Sequence, residues 1–323
     1  MITFKFSGTS HGEGYRGTIT GLPCGFTFDV DAVNEQLRLR KTGIGRSGRQ
    51  AFDDEVVFEG FDKTVTVNGE LRFFVANKCV EQRDDITAVR SGHGDLVGVC
   101  RYPELTARQV AELSSARSSV CYVVLGAICK QYLHNLGIFT YHKVETVGGF
   151  DSRAEIEAAI EQAKRDGNSL GGVVTVGASG VPMGLGEILP YTERLDAQIA
   201  AHVMGIPSVK GISFGIGDLY AQISGVEAHD ELTLRDDKIV YATNKCGGIV
   251  SGVTNGCDVY FRVTVKPVPT VKGVTTLDTV TLQTVEQHYE RADTCVVENV
   301  GVIAENVLAY VLTNQILKQQ KQS

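Results

Sequence analysis

The sequence predicts an α+β fold in which helices lie buried between antiparallel sheets. Three observations predict it. Alternating and β-branched runs crowd the second half of the chain, one segment is apolar around most of a helical circumference, and no repeat, low-complexity tract or linker divides the 323 residues. Length alone would allow two domains, but without a linker a single domain over 1–323 is the expectation. Hydrophobic residues at 43% and charged residues at 21% are enough for a sizeable core and exclude a disordered or fibrous chain.

Taken in order, period-two or β-branched runs predict strands at 2–7, 55–61, 70–76, 172–178, 209–214, 219–224, 257–265 and 274–284. A helix over 119–136 carries Val120, Val123, Val124, Ala127, Ile128 and Leu133 on so many sides that it belongs inside. Ser152 opens a capping box with Glu155, and Ile156, Ile160 and Ala163 follow at helical spacing until Gly167 stops the helix. Helices over 192–204 and 302–318 complete the set.

The net charge of −7 removes the general electrostatic footprint of a nucleic-acid binder, so no nucleic-acid partner is expected and anion binding must come from local clusters. Eight cysteines occur without CxxC or metal-ligand spacing, which predicts reduced, mostly buried thiols and no metal. The N-terminus has no basic segment followed by an apolar one, and no run approaches about 18 uninterrupted apolar residues, so the cytoplasm and no membrane partner are expected.

Gly12 to Gly17 formally matches GxGxxG, but the following residues continue as strand and turn rather than opening a helix, so a Rossmann fold is rejected. His11, in Ser10-His11-Gly12, and His93, in the run Arg90 to Asp95, sit in Gly-flanked loops where an imidazole can exchange protons near neutral pH. Arg40, Arg46 and Arg49 concentrate positive charge on a Gly-containing loop; solvated charge and an anion site are both open readings. Ser114, Ser115 and Arg117, just before the apolar helix, suit phosphate, with plain N-capping as the alternative. The stretch 243–256, followed by Lys266, Pro267, Val268, Pro269 and Thr270, holds more Gly, Asn and hydroxyls than a hairpin needs, and Arg291 and Asp293 add a cation and a carboxylate late in the chain.

In this order the segments resemble the chorismate synthase family, from about residue 6 to 315. Ser114 to Lys130 resembles the family's SSARETAxRVAxGAxAK, SGTSHGEGYRGTITGLPCG resembles its FGxSHGxxxGxxIxGxPxG, and Arg90 to Asp95 resembles RPGHAD. Gly167 to Gly172 resembles GDSxGG, and Gly184 to Gly217 resembles the long central run GLGEP…KLDAxLAxAxxSIPAVKGxExGxG. The resemblance implies a β-α-β sandwich, assembly as a homotetramer, and an anti-1,4-elimination of phosphate from 5-enolpyruvylshikimate 3-phosphate that needs reduced FMN. The flavin would be reduced by NADPH on the enzyme or by an external flavin reductase.

Carried over position by position, the resemblance makes His11 the proton donor to the departing phosphate, His93 the group that protonates reduced flavin, and Asp293 the carboxylate that draws a proton from flavin N5. It assigns Ser10, Arg40, Arg46, Arg49 and Arg117 to the substrate. It assigns Ser114, Ser115, Asn244, Lys245, Ser251, Lys266, Pro267, Val268, Pro269, Thr270 and Arg291 to FMN. The chain departs from the family at Ala292, where the family's RHDPC has a His next to the carboxylate at Asp293, and at Leu113 and Tyr122, where the family has arginines. Those departures motivate an alternative expectation, a flavin or phospho-ligand binding homologue that has lost the elimination.

Overall fold

A segment that is apolar on every side can only be satisfied by packing on every side, and residues 119–134 meet that condition. In the computed structural model, which describes residues 1–46, 54–78, 84–290 and 292–321, they form the helix Ser119–His134, with eleven of sixteen residues buried. Against it lies the C-terminal helix Val297–Gln320, itself buried along most of its length. The two approach so closely that a side chain at Gly126 would collide with the carbonyl oxygen and Cβ of Asn306. The C-terminal helix is long and apolar enough to cross a bilayer by length and composition, but 89% of its apolar window is buried inside the fold.

An antiparallel four-stranded sheet covers each side of this helical layer. In the first, Thr3–Gly8, Gly14–Thr20, Leu71–Ala76 and Val56–Phe58 lie in that order, with Tyr15 opposite Val75 and Ile19 opposite Leu71. In the second, the order is Phe139–Val147, Gly172–Ser179, Val259–Val265, Val209–Phe214. Strand alternation turns Val174, Val176 and Ala178, and Val259, Phe261, Val263 and Val265, onto the C-terminal helix side, where all are buried. One apolar cluster runs from Ile2 to Leu317, with a small satellite of Ile86, Val89 and Ala107. The architecture is the expected α+β sandwich, and the GxGxxG glycines lie in a turn and an antiparallel strand, outside any Rossmann context.

Several elements differ from expectation. Residues 219–224 are not a strand; after Gly217 the chain closes into the 3-10 helix Gly217–Gln222, and its apolar residues Leu219 and Tyr220 are exposed. The run 274–284 breaks into a hairpin of Thr275–Leu277 and Thr284–Glu286, turned by Asp278 accepting from the N–H groups of Val280 and Thr281. The C-terminal helix begins at Val297, five residues before the predicted start. Of the seven described cysteines, Cys121, Cys129 and Cys295 are buried, whereas Cys24 and Cys100 are exposed, so burial is less general than the sequence suggested; Cys79 lies outside the described residues.

The helical layer carries one charged network. Glu305, 6% exposed, binds Lys130 Nζ at 2.5 Å, His142 Nδ1 at 2.5 Å and Thr140 Oγ1 at 2.8 Å, joining the two central helices to the second sheet. Burial alone would raise its pKa, but His142 and Lys130 outweigh burial and lower it to about 2. A carboxylate depressed by folding stabilises the fold above its unfolded pKa and loses that effect as pH falls through the folded value. Denaturant unfolding of the wild type should therefore weaken by on the order of 3 kcal/mol between pH 5 and pH 2 through this group. In Glu305→Gln that increment should vanish; an unchanged pH slope in the variant would contradict the network's role.

Candidate active site

At one end of the sandwich, loops from both sheets and the ends of both central helices enclose a cavity of about 590 Å³. The loop after Thr3–Gly8 brings Ser10 and His11. Asn77 fixes that loop through Nδ2, which donates to the carbonyls of Thr9 at 3.0 Å and Gly12 at 2.7 Å. Its Oδ1 accepts from Arg117 Nε, so the His11 loop and the segment entering the central helix are tied to one side chain. Ser115 caps that entry by accepting from Arg117 N–H at 3.3 Å, which realises the N-capping reading while leaving both Ser114 and Ser115 on the cavity wall.

The arginine cluster is organised by a residue the sequence did not single out. Asp54, 4% exposed, binds Arg40 Nη2 at 2.7 Å and Arg117 Nη2 at 2.9 Å, with Lys41 Nζ at 3.9 Å. Burial works to raise the Asp54 pKa, but Arg40, Arg117 and Lys41 prevail and hold it below the ordinary carboxylate value. Burial likewise lowers Arg40 and Arg46, opposed by Asp54 and Asp293. Gly45, at φ 85°, accepts from Thr294 N–H at 2.7 Å and so lays Arg46 beside Asp293, whose Oδ2 accepts from Arg46 Nη1 at 2.6 Å. Among the described residues, the Nε atoms of Arg40 and Arg46 are buried without a hydrogen-bond partner.

The second histidine sits in a tighter cage. His93 Nδ1 lies 2.6 Å from Asp95 Oδ1, and Arg90 grips the same carboxylate through Nε at 2.8 Å and Nη2 at 2.9 Å. Asp95 is fully buried; burial pushes its pKa up, but His93 and Arg90 take it well below the usual carboxylate range. The carboxylate fixes the His93 ring through Nδ1 and leaves Nε2 as the nitrogen that can serve a ligand. Arg90 Nη1 also donates to Thr270 Oγ1 at 3.3 Å, and Lys266 Nζ to the Gly92 carbonyl at 2.7 Å, locking this loop to the segment 266–270.

Thus Ser10, His11, Arg40, Arg46, His93, Ser114, Ser115, Lys266, Val268, Pro269, Thr270 and Asp293 share one cavity. Arg117 shares Asp54 with Arg40 without lining the cavity, and Pro267 does not line it although Lys266 and Val268 do. Asn244, Lys245 and Ser251 do not join the cavity of their own chain. Asn244 and Lys245 lie at the Val259 end of the strand Val259–Val265, roughly 20 Å from its Lys266 end by strand rise, where Asn244 accepts from Gly248 N–H and Lys245 Nζ binds the Glu227 carbonyl, and Ser251 sits in the turn between Ile249–Val250 and Val253–Thr254. Arg49 and Arg291 lie outside the described residues. Arg108, Glu290 and Glu112 line the wall as well, with Arg108 Nη2 2.7 Å from Glu290, and none stood out in the sequence because each lies in an ordinary helical or loop context.

A family model described as chorismate synthase matches residues 2–317. A chorismate synthase of Thermoanaerobacter pseudethanolicus is 34% identical over 97% of this chain and 92% of its own, and one of Caldanaerobacter subterraneus is 33% identical over 98% and 93%. The chain belongs to the chorismate synthase family. A crystal structure of a chorismate synthase superposes with a TM-score of 0.79 at 25% identity, covering 98% of this chain and 92% of that one. The family's departures fall unevenly on the cavity: Ala292 lines it, Leu113 is exposed, and Tyr122 packs edge-on against Phe4 and Phe6 at 5.7 and 5.6 Å, as a core aromatic.

Asp54 provides a direct test of how the cations are held. Asp54→Asn leaves Arg40 buried without a counter-charge, which should cost about 3–5 kcal/mol of stability in chemical denaturation. Inorganic phosphate should restore part of that loss by taking the vacated counter-charge role. A loss below about 1 kcal/mol would show that the cluster does not depend on Asp54, and no response to phosphate would show that an anion does not take its place.

Proposed function

We propose that this single-domain chain, acting in the cytoplasm as a homotetramer, carries out the anti-1,4-elimination of phosphate from 5-enolpyruvylshikimate 3-phosphate with reduced FMN, yielding chorismate for aromatic biosynthesis. The observation that supports it most strongly is the meeting of His11, His93 and Asp293 around a cation-lined cavity of about 590 Å³, a size within the usual range for small-molecule sites. The residues fit a flavin phosphate and a polyanionic substrate. Among the described residues Arg40 and Arg46 keep buried Nε donors without partners, and Lys266, Thr270, Ser114 and Ser115 add a cation and hydroxyls to the cavity wall.

Reduced FMN, when bound, lends electron density to the substrate as the phosphate departs. The protein handles charge and protons. Arg40 and Arg46, held charged by Asp54 and Asp293, receive the substrate's phosphate and carboxylates, and His11 delivers a proton to the leaving phosphate. A substrate anion competes with Asp293 for Arg46, so substrate binding loosens Asp293 from that arginine and lets its carboxylate accept a proton beside the flavin. His93, oriented by Asp95, holds a proton at Nε2 on the flavin side. Lys266 and the segment 267–270, with Arg291, would hold FMN, while Asn244, Lys245 and Ser251 would contribute to a flavin site of a second copy of the chain in the proposed tetramer. Reducing equivalents for the flavin would come from NADPH bound at the same arginines or from an external flavin reductase.

The second reading, a flavin-binding homologue without elimination, is supported by Ala292 alone, since Leu113 and Tyr122 do not line the cavity. Under anaerobic conditions with reduced FMN, the wild type should release phosphate and form chorismate. His11→Ala and His93→Ala should each slow turnover roughly 100-fold or more. Tight FMN binding without phosphate release would establish the second reading, and absence of FMN binding would overturn both.

A further inference from the structure

The three carboxylates that line the cavity are not used alike. Glu290 accepts from Arg108 at 2.7 Å and Asp293 from Arg46 at 2.6 Å, so each offsets a guanidinium. Glu112, in the last turn of the helix Ala107–Leu113, faces His11 instead, with Oε1 3.6 Å from Nδ1. Ser10 Oγ lies 3.1 Å from the same nitrogen. His11 and Glu112 are partly shielded, at 23% and 21% side-chain exposure.

The other charges around the cavity are mostly paired among themselves: Arg40 and Arg117 with Asp54, Arg46 with Asp293, Arg90 with Asp95 and Arg108 with Glu290. Arg40 and Arg46 share its cavity from the arginine loop, and Arg90 enters from the loop of His93. Arg108 comes from the helix of Glu112, and Lys210 and Lys266 come from the second sheet. Arg117 reaches the His11 loop through Asn77, and Tyr15, on the next strand, is a neutral phenol pushed up by burial to about 12. Nearby like charges disfavour an imidazolium, and an opposite charge within about 4–6 Å favours it. Because the other lining carboxylates already hold arginines, Glu112, 3.6 Å from Nδ1, is the described cavity carboxylate placed to favour the charged imidazole directly.

We propose that Glu112 is that carboxylate, a positioning residue that engages the Nδ1 face of His11 and keeps the imidazole charged, so that Nε2 presents a proton to the departing phosphate. The inference rests on the reading of His11 as the acid. Glu112 itself does not touch the substrate in this account. Because Glu112 acts through charge, Asp in its place should retain part of the effect, whereas Gln, of nearly the same shape, should not.

The test is a histidine titration followed by NMR on the full chain, with the His11 resonance assigned by its loss in His11→Gln. In Glu112→Gln the His11 midpoint should fall by about one pH unit relative to wild type, and in Glu112→Asp by less. The basic limb of the kcat profile for phosphate release should move down by the same amount. At pH 8 this should appear as a roughly 10-fold loss of kcat with KM little changed, recovered towards pH 6. An unmoved His11 midpoint in a folded Glu112→Gln protein would overturn the proposal, and Glu112→Asp supplies the same reading if the Gln variant does not fold. If the wild type releases no phosphate, the assignment of His11 as the acid fails, while the NMR titration still decides whether Glu112 and His11 are coupled.

Discussion

A pocket for a polyanion must keep its cations buried and charged before any anion enters, and that constraint shapes this molecule. A lone buried guanidinium is costly, so each one needs a carboxylate held close by the fold. Asp54 serves Arg40 and Arg117, Asp293 serves Arg46, Asp95 serves Arg90, and Glu290 serves Arg108. Some of these partners, Arg46 with Asp293 and Arg108 with Glu290, come from segments far apart in sequence. The ion pairs therefore act as stitches between loops as well as charge holders.

The scaffold makes those pairs possible by being rigid where the loops are anchored. Two apolar helices meet at Gly126 closely enough to exclude a side chain, and both sheets bury alternating faces against this layer. Arg117 leads into the N-terminal end of the central helix, and Asp293 lies four residues before the C-terminal helix begins. Asn299, on the first turns of that helix, donates to the Arg40 carbonyl at 2.6 Å. Site and core are thus built from the same two helices.

What the sequence made legible follows from locality. The central helix was readable because its apolar residues repeat at helical spacing, and the strands 172–179 and 259–265 because their buried residues alternate. Phe139–Val147 alternates too, but its inward residues include Thr140 and His142, whose partner Glu305 is far away in sequence, so no apolar signal marks it. His11 and His93 stood out through their Gly-flanked loops. Asp54 did not, because a carboxylate that holds distant arginines looks locally like any other acidic residue. The same applies to Glu112. For Asn244, Lys245 and Ser251 the motif was visible but their location was not, since strand direction, set only in the fold, carries them to the far end of the sheet.

The central claim is that one cavity gathers His11, His93 and Asp293 around flavin and substrate together. A crystal structure with FMN and the shikimate phosphate bound addresses it most directly. The account predicts the flavin against Lys266 and Thr270, the substrate anions on Arg40 and Arg46, His11 within hydrogen-bonding reach of the phosphate ester oxygen, and Arg46 shifted from Asp293 towards substrate. A flavin bound outside this cavity, or a substrate phosphate remote from His11, would contradict it.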